Sequence, residues 1–200
     1  MKNIIIIFCL LFSINFFSQR TNEYNQFIKK IKKDSKIDKN DKTVLNLLND
    51  FYEQVLQSDK GEFNSDMPEK IQKIYSDKNG KNLHILMMFL AYQQHISQTE
   101  GIGKKADSNF QINFMTDLEN EIMKVYGNVP VIVKIYKAEA LNSNGQTKES
   151  AELISKSLVE FPNSIPLKVY KHLDTKDEKL KEELIKNHSK HWMVQQFGIK

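Results

Sequence analysis

The sequence is poor in cysteine and arginine, and each shortage argues against a class of protein. Cys9 is the only cysteine in 200 residues. The chain therefore cannot form an internal disulfide, and its own core must hold the fold. Arg20 is the only arginine, beside 28 lysines. Because the planar guanidinium fork of arginine is what pairs with guanine edges and phosphates, we expect no nucleic-acid partner.

The sequence also has few prolines and no pattern typical of a β-strand. There are four prolines, and no segment shows the sustained two-residue alternation of a half-buried strand. Instead, apolar residues recur at helical spacing, most clearly over 42–57 and 147–160. Residues 81–98 are apolar on nearly every side, which is typical of a helix in the middle of a core. The pattern predicts an all-α protein.

Helix boundaries are marked by short polar signals. Asp66, Pro68 and Glu69 form the pattern of a helix start, with Asp66 as the N-cap. Gly145 falls between two predicted helices, where a reversal of the chain requires the left-handed backbone that suits glycine. Residues 99–109 form the longest loop predicted inside the helical region.

The first eighteen residues have the layout of a secretory signal peptide. Lys2 provides a positive start, and residues 4–17 form an almost unbroken apolar run. The run is shorter than the roughly 20 apolar residues that cross a bilayer. We therefore expect cleavage before Gln19, no stable membrane anchor afterwards, and an exported protein, periplasmic or extracellular.

Two alternatives to cleavage are a retained anchor and a lipoprotein signal. Lipidation would use Cys9, which lies inside the apolar run between Phe8 and Leu10. A lipidated cysteine needs a small residue before it, so a cleaved signal is the better interpretation. The sequence thus predicts a signal peptide over 1–18 and a single all-helical domain over 19–200.

The second half of the chain contains an internal repeat. Tyr126 and Phe161 end two predicted helices 35 residues apart. The tripeptide Ile-Tyr-Lys at 135–137 recurs as Val-Tyr-Lys at 169–171, with a period of 34. A self-similar unit of this length, built from two helices, is typical of a helical repeat protein.

Over about residues 131–164 this unit resembles the tetratricopeptide repeat (TPR) family. Ala138 occupies the small-residue position of the first helix, Gly145 the turn, and Pro162 the end of the unit. The resemblance implies stacked antiparallel helical hairpins, a TPR-like α-solenoid, over about 110–188. The chain departs from the family pattern where two lysines replace a buried aromatic and a leucine, namely Lys134 and Lys137.

The resemblance also implies a function. TPR proteins bind a protein partner in a concave groove lined by the first helix of each hairpin. On this chain the groove positions are Ile132, Ile135, Glu139, Asn142 and Ser143. The family's best-known ligand is a C-terminal carboxylate. Three of these groove positions carry Ile135, Glu139 and Ser143, and these side chains cannot clamp that group. The alternative is that they pack against neighbouring helices and bind nothing.

The histidines do not form a recognisable metal or catalytic pattern. His188 and His191 are three residues apart, a spacing that could share a metal on a helix, but nothing completes the ligand set. We interpret this pair as solvated surface near a helix end. His84 and His95 share one helical face and are expected to be hydrogen-bonded or exposed. We predict no catalytic residues, no metal and no cofactor.

The end of the chain is apolar after a charged helix predicted over 176–187. Trp192 is the only tryptophan, and Phe197 follows it. A polar final helix caps a stacked array, so we expect Trp192 to fold back near Val169 and Leu173. The alternative is an exposed docking patch.

These observations favour an exported, non-enzymatic adaptor or scaffold that binds another protein. One alternative is an exported helical enzyme with an unrecognised site around the 81–98 helix and the 99–109 loop. The other is a purely structural helical domain.

Overall fold

The structure, a computed structural model, describes residues 20–200 except 102, 104 and 105, and it is all-helical there. The predicted signal peptide lies outside the described residues. A π-helical segment, Tyr52–Gln57, continues the second of the ten α-helices described. These are α1 (Arg20–Asp34), α2 (Thr43–Phe51), α3 (Met67–Ser76), α4 (Leu83–Gly101), α5 (Ser108–Tyr126), α6 (Val131–Ser143), α7 (Thr147–Glu160), α8 (Ile165–Thr175), α9 (Glu178–His188) and α10 (Trp192–Gln196). None of them combines the length and apolar character needed to cross a membrane.

Helix α4 lies in the middle of the core, as its all-round apolar sequence predicted. Its side chains Ile85, Leu86 and Met88 are completely buried, and α1, α2 and α5 pack against it. Phe89 meets Phe51 of α2 edge to face, with ring centroids 5.0 Å apart. Such aromatic contacts add specific geometry to burial, so α4 is fixed in orientation as well as position.

The second half of the chain is a succession of packed neighbours. Each helix from α5 to α9 packs against the next one along the chain. The turn between α6 and α7 is made at Gly145, whose φ of +81° confirms the left-handed backbone predicted there. Helix α6 also contacts α2 and the π-helical segment, so the N-terminal half covers part of this helix.

The final residues fold back onto α8 and α9. Met193, Val194 and Ile199 are buried against Val169 and Leu184. Trp192 packs at the edge of this cluster and also reaches the N-terminal half, where it lies against the loop before α3. The tail therefore joins the C-terminal end of the chain to the segment 56–61.

His188 and His191 were interpreted as solvated surface, and for His191 this prediction is wrong. Its ring is completely buried, and its Nε2 donates a hydrogen bond to the carbonyl of Leu56 at 2.9 Å. Its Nδ1 accepts from the backbone N–H of Met193 and so caps α10. Burial lowers the pKa of His191, in keeping with a neutral ring that both donates and accepts.

Two buried serines on α7 give a matched test of hydrogen bonding in the packed hairpin. Ser150 Oγ donates to the carbonyl of Ala138 at 2.7 Å, whereas Ser157 Oγ has no partner among the described residues. We expect Ser150→Ala to lower the free energy of unfolding by about 1 kcal/mol. Ser157→Ala is expected to raise it by about 0.5 kcal/mol, because alanine buries no unpaired hydroxyl and favours the helix.

Urea unfolding of both variants beside the unchanged protein measures the two effects under identical conditions. Equal destabilisation by the two substitutions would show that Ser157 has a partner in solution. The hairpin packing described for α6 and α7 would then need revision at that point.

Candidate functional site

A groove of about 640 Å³ opens between α6, α7, α8 and the segment after α10. Its volume lies in the range of typical ligand-binding clefts. We call it the C-terminal groove. It is lined by Ala138, Glu139, Asn142, Ser143, Thr147, Ser150, Ala151, Ile154, Tyr170, Leu173, Asp174 and Phe197.

The groove exists because the chain reverses twice in a short distance. The left-handed turn at Gly145 brings the end of α6 against the start of α7, and the hydrogen bond from Ser150 to Ala138 joins the two helices. Helix α8 then packs on α7, which places its Tyr170 close enough for the hydroxyl to donate to Glu139 Oε1 at 2.5 Å.

Glu139 is the electrostatic centre of the groove. Burial raises the pKa of its carboxyl group to about 7, and the hydrogen bond from Tyr170 opposes only part of that rise. Burial also raises the pKa of the Tyr170 hydroxyl, and the charge of Glu139 adds to the effect. A carboxylate in these surroundings lacks the hydration it would have at an open surface.

Aromatic side chains lie near this carboxylate. The charge of Glu139 also raises the pKa values of Tyr92 and Tyr136, second to burial, so both hydroxyls lie within its electrostatic reach. At the open side, the rings of Tyr170 and Phe197 meet edge to face at 6.3 Å. Phe197 keeps 42% of its surface exposed, which is high for a large apolar side chain.

The structure brings together three of the five groove positions predicted from the sequence. Glu139, Asn142 and Ser143 all line the C-terminal groove, and the last two are exposed at its mouth. Ile132 and Ile135 instead lie in the core with 0% exposure. They are packing residues, because α6 is packed among α5, α7, α2 and the π-helical segment, and neither can touch a partner at the surface.

The groove predicted from the sequence did not include the residues that α8 and the tail contribute, namely Tyr170, Leu173, Asp174 and Phe197. A signal for two of them was present in the repeat. Tyr170 repeats Tyr136 at a period of 34, and Asp174 repeats Glu139 at a period of 35. The position of Phe197 carries no such signal, since it depends on how the tail folds back.

A second cleft, of about 470 Å³, lies where α2 and α3 meet the loop before α4. Three aspartates and three lysines line it, so its charges balance. Lys70 lies 3.4 Å from Asp50 of the lining and 3.3 Å from Asp66 outside it. Both carboxylates and the lysine are well exposed, where such pairs contribute little. The cleft therefore offers less for recognition than the C-terminal groove.

The histidines of α4 lie inside the protein. His84 is completely buried, with Nδ1 2.9 Å from Ser35 Oγ and Nε2 3.5 Å from a carboxylate oxygen of Glu121. Burial lowers the pKa of His84, although Glu121 opposes this. In the part of the chain described, no three His, Cys, Asp or Glu side chains are grouped as a metal site requires.

Comparison with known proteins found no matching family model, no matching curated protein and no matching solved structure. The TPR resemblance therefore rests on the residues of 131–164.

Proposed function

We propose that this chain is an exported, non-enzymatic helical adaptor or scaffold that binds another protein in the C-terminal groove. In this proposal α5 to α9 form a short TPR-like solenoid. Residues 1–18 act as the signal peptide, and Lys2 with the apolar run of 4–17 supports that role. The site of action is the periplasm or the extracellular space.

One observation carries the proposal: an exposed aromatic side chain and hydrogen-bonding groups share one groove. Phe197 and Tyr170 supply aromatic surface, which is enriched at protein interfaces. Asn142 and Ser143 supply polar groups at the mouth, as in the rim of an interface. Protein partners bind through such aromatic anchors surrounded by polar contacts.

The groove resembles a recognition surface more than a catalytic one. No histidine or cysteine is among its lining residues in the described structure. The hydroxyl of Ser150 is engaged with the carbonyl of Ala138, so it is not poised as a nucleophile.

Blocking the groove tests this function. We expect Asn142→Trp and Ser143→Trp to fill the mouth, since both positions are exposed and tolerate bulk without disturbing the core. The mature protein, residues 19–200, is immobilised and used to capture proteins from the envelope fraction of its host. Captured proteins are quantified by mass spectrometry.

Lys156→Trp is the matched control, because it places the same ring at an exposed position of α7 outside the groove. A partner retained by the unchanged protein and by Lys156→Trp, and reduced about tenfold by both groove variants, supports the proposal. Capture that the groove variants leave unchanged would overturn it.

A further inference from the structure

Resting on the proposed function, we infer that the C-terminal groove recognises a basic side chain, arginine or lysine, presented by the protein partner. The cation binds at Glu139, and its aliphatic stem lies along the apolar and aromatic side of the groove. The inference goes beyond partner binding because it specifies the chemistry of the residue that is bound.

The charge of the groove is the first argument. Both charged residues that line it, Glu139 and Asp174, are acidic. No lysine is among the lining residues of the described structure, although the chain contains 28 of them. A negative groove in a basic protein attracts a positively charged group and disfavours an acidic one.

Glu139 has no cation of its own among the described residues. The two lysines nearest to it on α6 are engaged elsewhere: Lys137 pairs with Glu119 at 2.6 Å, and Lys134 with Glu160 at 3.2 Å. Among the described residues, Glu139 forms no ion pair, and its only hydrogen bond comes from Tyr170. Unlike charges attract more strongly in this partly desolvated groove than at an exposed surface. Burial raises the pKa of the Glu139 carboxyl group to about 7, and a cation bound beside it favours the ionised form.

One oxygen of the carboxylate is still available to a ligand. Tyr170 donates to Oε1, whereas Oε2 has no hydrogen-bond partner in the part of the chain described. Nor is Oε2 one of the buried polar atoms without a partner. Since Glu139 lines the groove, this oxygen can accept a charge-assisted hydrogen bond from a guanidinium or an ammonium.

The aromatic side of the groove suits the same ligand. Tyr170 and Phe197 both line the cleft beside Glu139, and Leu173 adds apolar surface. Cations bind favourably over aromatic faces, and arginine does so most often. The stems of arginine and lysine are apolar, so they can cover Leu173 while the charged group reaches the carboxylate.

A peptide-pool experiment tests the inference directly. Four pools of capped heptapeptides carry Arg, Lys, Gln or Glu at the central position and random residues elsewhere. Their retention by immobilised residues 19–200 is measured by mass spectrometry. We expect the Arg and Lys pools to be retained about tenfold more than the Gln pool, and the Glu pool least.

Glu139→Gln identifies the site responsible for the preference. The amide keeps an oxygen that can accept from Tyr170, and it removes a buried charge, so the variant is expected to fold. We expect it to lose the preference for Arg and Lys. Glu182→Gln, an exposed change on α9 outside the groove, removes the same charge and should leave the preference intact.

Several outcomes would overturn the inference: equal retention of all pools, no retention of any pool, a preference for Glu, or a basic preference unchanged by Glu139→Gln. The proposed function fails separately, when Asn142→Trp and Ser143→Trp do not reduce capture of a partner. A partner lost from those variants without any preference for Arg or Lys would leave the adaptor function standing and the cation site refuted.

Discussion

Replacing Asn82 by alanine is expected to lower the free energy of unfolding by about 3–5 kcal/mol. The side chain is completely buried at the start of α4. Its Nδ2 shares its two hydrogens among the carbonyls of Asp38 and Asp41 and the hydroxyl of Tyr126, at 2.7, 3.2 and 3.0 Å. Its Oδ1 accepts from the N–H of Asp38 at 3.0 Å. Alanine would remove all of these bonds and leave the buried Tyr126 hydroxyl without this partner.

The effect is large because Asn82 joins segments that are far apart in the chain. Its partners lie in the loop before α2 and at the end of α5, and its backbone N–H donates to the carbonyl of Lys36. Each buried polar group left without a partner costs about 1–3 kcal/mol. The backbone of Asn82 is also left-handed, with φ of +57°, a conformation that asparagine tolerates and alanine does not.

Two further variants separate these contributions. Asn82→Gly loses the same hydrogen bonds but accepts the left-handed backbone, so it should be about 1 kcal/mol more stable than Asn82→Ala. Asn79→Ala, at an exposed site in the same loop, should change stability by less than about 0.5 kcal/mol. Urea unfolding followed by circular dichroism measures all three. A loss below about 1 kcal/mol for Asn82→Ala would show that water replaces the lost side chain.

The sequence predicted the parts of this fold that depend on local pattern. The all-round apolar segment of 81–98 became the central helix α4, because such a helix has no face that favours water. Gly145 indicated a turn for an equally local reason. The turn requires a positive φ at that one position, whatever the rest of the chain does. Local rules decide these features, so they can be inferred without knowing which helices become neighbours.

Features set by distant contacts could not be inferred in this way. The buried Ile132 and Ile135 were assigned to a groove because the amphipathic pattern does not reveal which neighbour covers a face. His191 was assigned to the surface, yet its partner Leu56 is 135 residues away. Asp66 was predicted correctly as the N-cap residue of α3. Its side chain, however, accepts no hydrogen bond from the start of the helix and pairs with Lys70 instead.

The candidate site shows the same division. Glu139, Asn142 and Ser143 were predicted from the repeat-like hairpin, and they lie in one groove because their spacing places them on one face of α6. The opposite wall comes from α8 and the tail, whose placement depends on tertiary packing. Asp174 could have been inferred, because it lies one 35-residue period after Glu139. Phe197 could not have been inferred from the repeat.

Deleting residues 191–200 is expected to destabilise the protein by about 5 kcal/mol or more. The deletion removes three buried apolar side chains, Met193, Val194 and Ile199, each worth about 1.5–3 kcal/mol of burial. It also uncovers Val169 and Leu184, and it removes the hydrogen bond from His191 to Leu56. Since domains are stable by only about 5–15 kcal/mol, we expect a much lower unfolding midpoint in urea.

Two substitutions in the full chain test the same contact without truncation. Gly61 has φ of +64°, and a Cβ there would lie 2.8 Å from ring atoms of Trp192. We therefore expect Gly61→Ala to cost about 2 kcal/mol or more, through backbone strain and displacement of the indole. Phe197→Ala is the control, because a side chain that is 42% exposed should contribute less than about 1 kcal/mol.

Tryptophan fluorescence reports on this contact specifically, because Trp192 is the only tryptophan in the chain. Its ring packs against the two apolar clusters and the Gly61 loop, so folded protein should emit at shorter wavelength than unfolded protein. Gly61→Ala should shift the folded emission to the red, whereas Phe197→Ala should not. Red emission from the unchanged folded protein, together with a stable deletion of 191–200, would mean that the tail is free in solution and that Phe197 does not form a wall of the groove.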